Sequence, residues 1–200
     1  MKVLRIILYI FVATLILTAT ESCSTKRDKW LNRTWHSMNT LYNGYFNGNE
    51  AIKEAMATLN KNHKDDYYQI LGVYRLGDKA MAQSVNPQTD RAIAKGVAMI
   101  KKHSMLINGK QKNKWIDDCY FIIGKANYLK REGLRAVQQL TFVIQTSEKE
   151  SVRDLAHIYI IRSYTDLEEF SQAEVELNNL RDKKPAIEKT KEFQLALADY

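Results

Sequence analysis

From Trp30 to Tyr200, apolar residues return at steps of three and four with few interruptions, the spacing of helices that each bury one face. Only two prolines and eight glycines punctuate the 200 residues, and no stretch alternates long enough to make a convincing strand. The chain is therefore expected to be all-α. Its breaks fall at Asn43-Gly44, Asn47-Gly48, Asn86-Pro87, Asn108-Gly109, Gly133 and Lys184-Pro185, all residue types that punctuate helices. They leave helices over 30–43, 50–60, 65–74, 89–103, 115–131, 134–146, 151–168, 171–182 and 189–200. The run Tyr42-Asn43-Gly44-Tyr45-Phe46-Asn47-Gly48 reads as a tight interhelical turn, its glycines left-handed and its rings capping the core.

Helices this short, joined by turns this tight, favour stacked antiparallel pairs over a closed bundle. Such pairs recur every 34 or so residues in tetratricopeptide repeats. In a unit starting at Asp117, Gly124 and Ala136 fall where the repeat needs small residues, and Tyr120, Ile123 and Leu140 where it needs bulky ones. A second unit from Asp154 places Tyr164, Phe170, Ala173, Leu177 and Pro185 likewise. Small residues let paired helices approach closely, and bulky ones fill the space between pairs. A degenerate earlier unit is carried by Trp35, Tyr42 and Ala51, and a last one by Phe193 and Tyr200 has only its first helix. The apolar face of that helix is expected to be covered by a longer chain or by a partner.

The fold expected is thus antiparallel helix pairs stacked as a tetratricopeptide-like right-handed solenoid. Residues 1–22 read as a signal peptide and 23–29 as a tether. Residues 30–114 form an N-terminal helical region with the degenerate unit, and 115–200 hold the repeats, the last truncated. The segment 67–114 fits no repeat and reads as an inserted helix pair or a long connection. Repeat solenoids bind extended segments along the groove lined by the first helix of each pair. Here that groove selects Phe121, Lys125, Tyr128, Leu129, Ile158 and Arg162, with rings and cations suited to an extended or acidic segment of another protein.

The N-terminus supplies an address. Lys2 and Arg5 precede an uncharged apolar run from Ile6 to Ala19, shorter than the 20 or so residues that span a bilayer. It has the form of a secretory signal. Cys23 directly after it points to a lipoprotein acylated at that cysteine, although Thr20 and Glu21 depart from the usual small-residue pattern before such a Cys. An uncleaved anchor and a plain secreted chain are the other two readings, and all three put residues 24–200 outside the cytoplasm. About 178 residues then remain for one domain with a real core.

Chemistry is sparse. The formal charge is +7, spread along the sequence as on a solvated helical surface, and export argues against nucleic acid as a partner. With Cys23 acylated, Cys119 has no disulfide partner and reads as a small buried hydrophobe. None of His36, His63, His103 and His157 lies three or four residues from another, so no local metal cluster is seen. No nucleophile elbow, phosphate loop or zinc-protease motif occurs. No catalytic residue, cofactor or metal is expected.

Four strings occur in order: Leu41-Tyr42-Asn43-Gly44-Tyr45-Phe46-Asn47-Gly48, His63-Lys64-Asp65-Asp66-Tyr67, Lys102-His103-Ser104-Met105 and Asn113-Lys114-Trp115-Ile116-Asp117-Asp118. With the Cys23 signal and the repeats, they resemble the N-terminal region of the PorW/SprE family. Its members are longer tetratricopeptide lipoproteins of the type IX secretion and gliding-motility machinery. The resemblance implies a non-enzymatic scaffold, lipid-anchored at Cys23 on the periplasmic face of the outer membrane. Its implied partners are the periplasmic ring and motor and the outer-membrane translocon of that apparatus. The alternative from another class is a periplasmic helical-repeat module that binds a small ligand or polysaccharide.

Overall fold

A computed structural model describes Ile7, Tyr9, residues 24–68 and residues 71–200. Cys23 and, apart from Ile7 and Tyr9, the leader lie outside the described residues. Helix α1 (Trp30–Asn39) runs into a π-helical stretch, Thr40–Phe46, and on into α2 (Asn47–Asn62). The junction residues Thr40 and Phe46 keep helical backbone angles, with φ of −66° and −60°. The turn expected at Asn43-Gly44 and Asn47-Gly48 is therefore not made.

Packing explains the difference. A Cβ on Gly44 would lie 2.4 Å from Met99 Cγ and 3.1 Å from Cys119 Sγ; one on Gly48 would lie 3.3 Å from Ile122 Cγ2. These glycines serve close helix approach instead of left-handed backbone. Before them, the Thr40 hydroxyl donates to the His36 carbonyl at 2.8 Å, and the Asn39 amide to that of Trp35 at 2.9 Å. Side-chain groups thus share the helix carbonyls where the turn widens. Trp35, Tyr42 and Ala51 accordingly sit on one unbroken helix, and the degenerate antiparallel pair read from them is corrected.

After α2 the chain is non-helical through 63–66 and again through 71–78, where a helix over 65–74 was expected. Short α3 (Lys79–Gln83) is capped by Asp78, whose carboxylate accepts from the Met81 amide at 2.7 Å. Helix α4 (Asn86–His103) has its proline in the first turn. A small hairpin follows, β1 (Leu106–Ile107) against antiparallel β2 (Lys110–Gln111). Asn108 and Gly109 both take positive φ, 51° and 74°, the tight-turn signature of that dipeptide.

The remaining helices are α5 (Ile116–Leu129), α6 (Gly133–Thr146), α7 (Glu150–Asp166), α8 (Phe170–Lys183) and, past a 3₁₀ turn at Pro185–Lys189, α9 (Lys191–Asp199). Adjacent helices pack as pairs: α4 on α5, α5 on α6, α6 on α7 and α7 on α8. Contacts also skip one helix, joining α5 to α7 and α7 to α9. The first pair is α2 with α4, and α2 reaches α5 as well, so the pairing spans residues 63–85 instead of closing at Gly44.

Two neighbouring turns have the same geometry. Arg131 and Glu168 end their helices with φ of 59° and 60°. The next amides, of Glu132 and Glu169, donate to the carbonyls of Asn127 and Tyr164 at 3.0 and 2.9 Å. Downstream, Lys149 pairs with Asp118, and Lys184 pairs with Asp154 at 2.6 Å. Each lysine thus returns from the end of a pair to the start of its first helix.

Ala136 and Ala173 are fully buried, and a Cβ on Gly124 would meet Leu140 carbons at 2.7 Å. The main core runs from Ala51 and Leu59 through Ile122 and Tyr128 to Val143 and Ile160; a second joins Ile158, Ile161, Leu177, Phe193 and Ala196. Gly124→Val, which needs that volume and adds a β-branched residue to a helix, is expected to lower unfolding free energy by about 2 kcal/mol in urea denaturation.

Candidate partner groove

Of the residues read as a partner groove, Phe121, Lys125, Tyr128 and Arg162 come together around Tyr159, and the protein's own chain covers Arg162. The Arg162 guanidinium lies 3.4 Å from the ring centre of Tyr74, 4.4 Å from that of Tyr159 and 4.6 Å from that of Tyr128. Tyr128 and Phe121 each meet the Tyr159 ring edge-on at 5.5 Å, and the Lys125 ammonium stands 5.4 Å from the same ring centre. Tyr74 belongs to the extended strap 71–78. Its neighbour Val73 donates an amide to Asp199 at 3.1 Å. Leu76 is buried in the main core, and the Gly77 carbonyl accepts from Arg131 at 3.0 Å. The strap thereby meets α7, α9 and the end of α5, and it lines one cleft with Met56 and Leu59 of α2.

Phe121, Tyr128, Leu129 and Arg162 are therefore buried, and Lys125 is half-buried. Ile158 is 2% exposed and belongs to the second core with Leu177 and Phe193; packing against α8 and α9 sets its surroundings. Within this chain the groove residues around Arg162 are covered by the strap 71–78.

A cation enclosed by three rings avoids the full cost of desolvation because their faces are electron-rich. Burial pushes the Tyr128 and Tyr74 hydroxyls above the ordinary tyrosine range, so both remain neutral. Burial also raises the carboxyls of Asp166 and Asp199. Arg131, 2.7 Å from Asp166, and the Val73 amide on Asp199 work against that shift.

A second constellation escaped sequence reading because its parts lie far apart in the chain. Asn113 is fully buried, and its amide donates to the Thr40 hydroxyl at 2.7 Å, the His103 carbonyl at 2.9 Å and the His36 carbonyl at 3.2 Å. His36 and His103 share a hydrogen bond between their Nδ1 atoms at 2.8 Å. Only one of the two can donate it, so the pair requires a neutral ring. Burial, with His36 and Lys102 alongside, holds the His103 pKa below its ordinary 6.5. Three of the four ordered strings meet around this junction: Tyr45 stacks near Trp115 at 5.2 Å, and Gly44 abuts Cys119.

Cys119 is buried and its thiol is pushed up to about 12, chiefly by burial, which makes it inert as a nucleophile. Asp117 accepts from the Ser147 hydroxyl at 2.8 Å and Asp118 from Lys149, so this acidic pair ties α5 to the turn after α6. Among the described residues, no three His, Cys, Asp or Glu side chains are placed to hold a metal ion. Nor is any helix among them long and apolar enough to cross a membrane.

Two outcomes follow from these contacts. Tyr74→Ala is expected to cost about 2 kcal/mol through lost ring packing and cation contact, and to make the strap the first site of limited proteolysis. A His pKa depressed by folding means that the unfolded chain binds the proton more tightly. That contribution is intact above pH 6.5 and is lost as pH falls through it toward the folded value. Thermal unfolding from pH 7.5 to 5 is expected to show this loss, with a smaller pH dependence in His103→Gln. The chain matches no family model and no curated protein sequence.

Proposed function

We propose that this chain is a non-enzymatic scaffold built as a tetratricopeptide-like right-handed solenoid. It is anchored through an acylated Cys23 at the periplasmic face of the outer membrane. There it couples the periplasmic ring and motor of a type IX secretion apparatus to the outer-membrane translocon. The observation that carries the repeat reading is the matched pair of turns at Arg131 and Glu168, with equivalent hydrogen bonds and the same φ. Such recurrence is what stacked supersecondary units require. The secretion assignment rests on the ordered strings, three of which form one junction in the fold.

The strap supports a protein-binding role. Residues 71–78 show what the inner face accommodates: an extended segment with a ring over Arg162 and backbone groups on Asp199 and Arg131. A partner segment using the same chemistry would compete with the strap, so docking and strap release are coupled in this reading.

In-frame deletion in the native host is expected to retain cargo proteins inside the cell while growth on non-secretion-dependent medium is unchanged. Normal cargo secretion in the deletion strain would overturn the assignment, and affinity capture that retains ring or translocon subunits would support it.

A further inference from the structure

Helix α1 and the π-helical stretch that continues it are turned with their polar side inward. Asn32, His36, Ser37 and Thr40 are buried, whereas Leu31, Trp35, Met38, Tyr42 and Phe46 are each about half exposed or more. Those five residues follow one another at steps of four, three, four and four. They form a single stripe about 20 Å long on the outer side of the helix. Singly exposed apolar residues are ordinary; a continuous apolar stripe is not.

The fold also gathers charge at this end. Residues 24–49 hold four cations and one acid, and residues 101–114 hold five lysines and no acid. That local excess of +8 exceeds the +7 of the whole chain. The two segments are in contact: His36 meets His103, and Asp28 lies 3.3 Å from Arg33 and 3.7 Å from Lys112. Between α1 and the turn before α5 lies a groove of about 480 Å³, where Trp30, Met38 and Leu41 face Arg33, Lys112 and Lys114.

We propose that this surface is a second membrane contact, in which the apolar stripe lies in the interfacial layer of a bilayer and Arg33, Lys112 and Lys114 beside it meet anionic lipid headgroups. Trp and Tyr favour that layer because each ring is apolar with a polar edge. An in-plane helix needs this combination of apolar stripe and flanking lysine and arginine. Charge complementarity selects the occupant: Arg33, Lys112 and Lys114 line the groove beside Trp30 and Met38, where anionic headgroups would meet them as the apolar stripe enters the layer. The contact stands apart from the acyl anchor and from the secretion assignment, since it uses only residues of the folded domain.

The test uses the full chain in vesicles of phosphatidylcholine with phosphatidylglycerol, reading tryptophan emission with and without brominated acyl chains. A Trp30→Phe/Trp115→Phe variant leaves Trp35 as the reporter. The unmodified chain, with two of its three tryptophans on this surface, is the control for folding. Bromine is expected to reduce Trp35 emission about twofold or more, with a blue shift. Lys112→Glu/Lys114→Glu and high salt are expected to weaken that quenching. Trp35 emission unaffected by bromine yet quenched by acrylamide would overturn the proposal. Protection from both quenchers would overturn it in favour of a protein on the stripe, such as a second copy.

Discussion

The Asn113 carboxamide decides which way α1 faces. Its donors bind the His36 carbonyl and Thr40 hydroxyl on one side and the His103 carbonyl on the other, holding the polar side of α1 against α4 and the approach to α5. A buried carboxamide without partners costs several kcal/mol, so orientations of α1 that break this set are disfavoured. Trp35, Met38 and Tyr42 are then left outside, against the ordinary preference for burying large apolar groups. Inward glycines make the arrangement possible: Gly44 brings the helix onto Met99 and Cys119 at a distance no side chain would permit.

The helical spacing was readable because it is local, and so were the pairs from Ile116 onward. Gly124, Ala136, Leu140, Ala173 and Leu177 signal close pairing through size alone, and they sit at helix contacts. Asn43-Gly44 and Asn47-Gly48 were not readable in the same way. Their turn propensity is real, but it is a weak preference beside the packing that keeps the chain helical there. The mistaken break had a consequence: Ala51 was paired with Trp35, whereas its helix pairs with α4 across residues 63–85.

The candidate groove was legible as an assembly and illegible as a surface. Repeat positions placed Phe121, Lys125, Tyr128 and Arg162 near one another, because that follows from helical phase. Nothing in the spacing said that Tyr74, 88 residues before Arg162 in sequence, would lie over its guanidinium. Long-range contacts of an extended segment have no periodic signature. The same holds for His36 and His103, whose contact depends on the approach of α1 to α4 and on no local motif.

One feature of the N-terminal half has a mechanical meaning. From Trp30 to Asn62 the backbone is helical without a hinge, a rod of roughly 45 Å. The apolar stripe occupies one end of the rod, and at the other end Leu59 packs in the main core with Leu76 of the strap. The two ends are therefore locked in rotational phase as well as in distance. Each residue added within the rod would turn one end against the other by roughly 100°, so the direction in which the stripe faces relative to the main core is set by the residue count of a single helix.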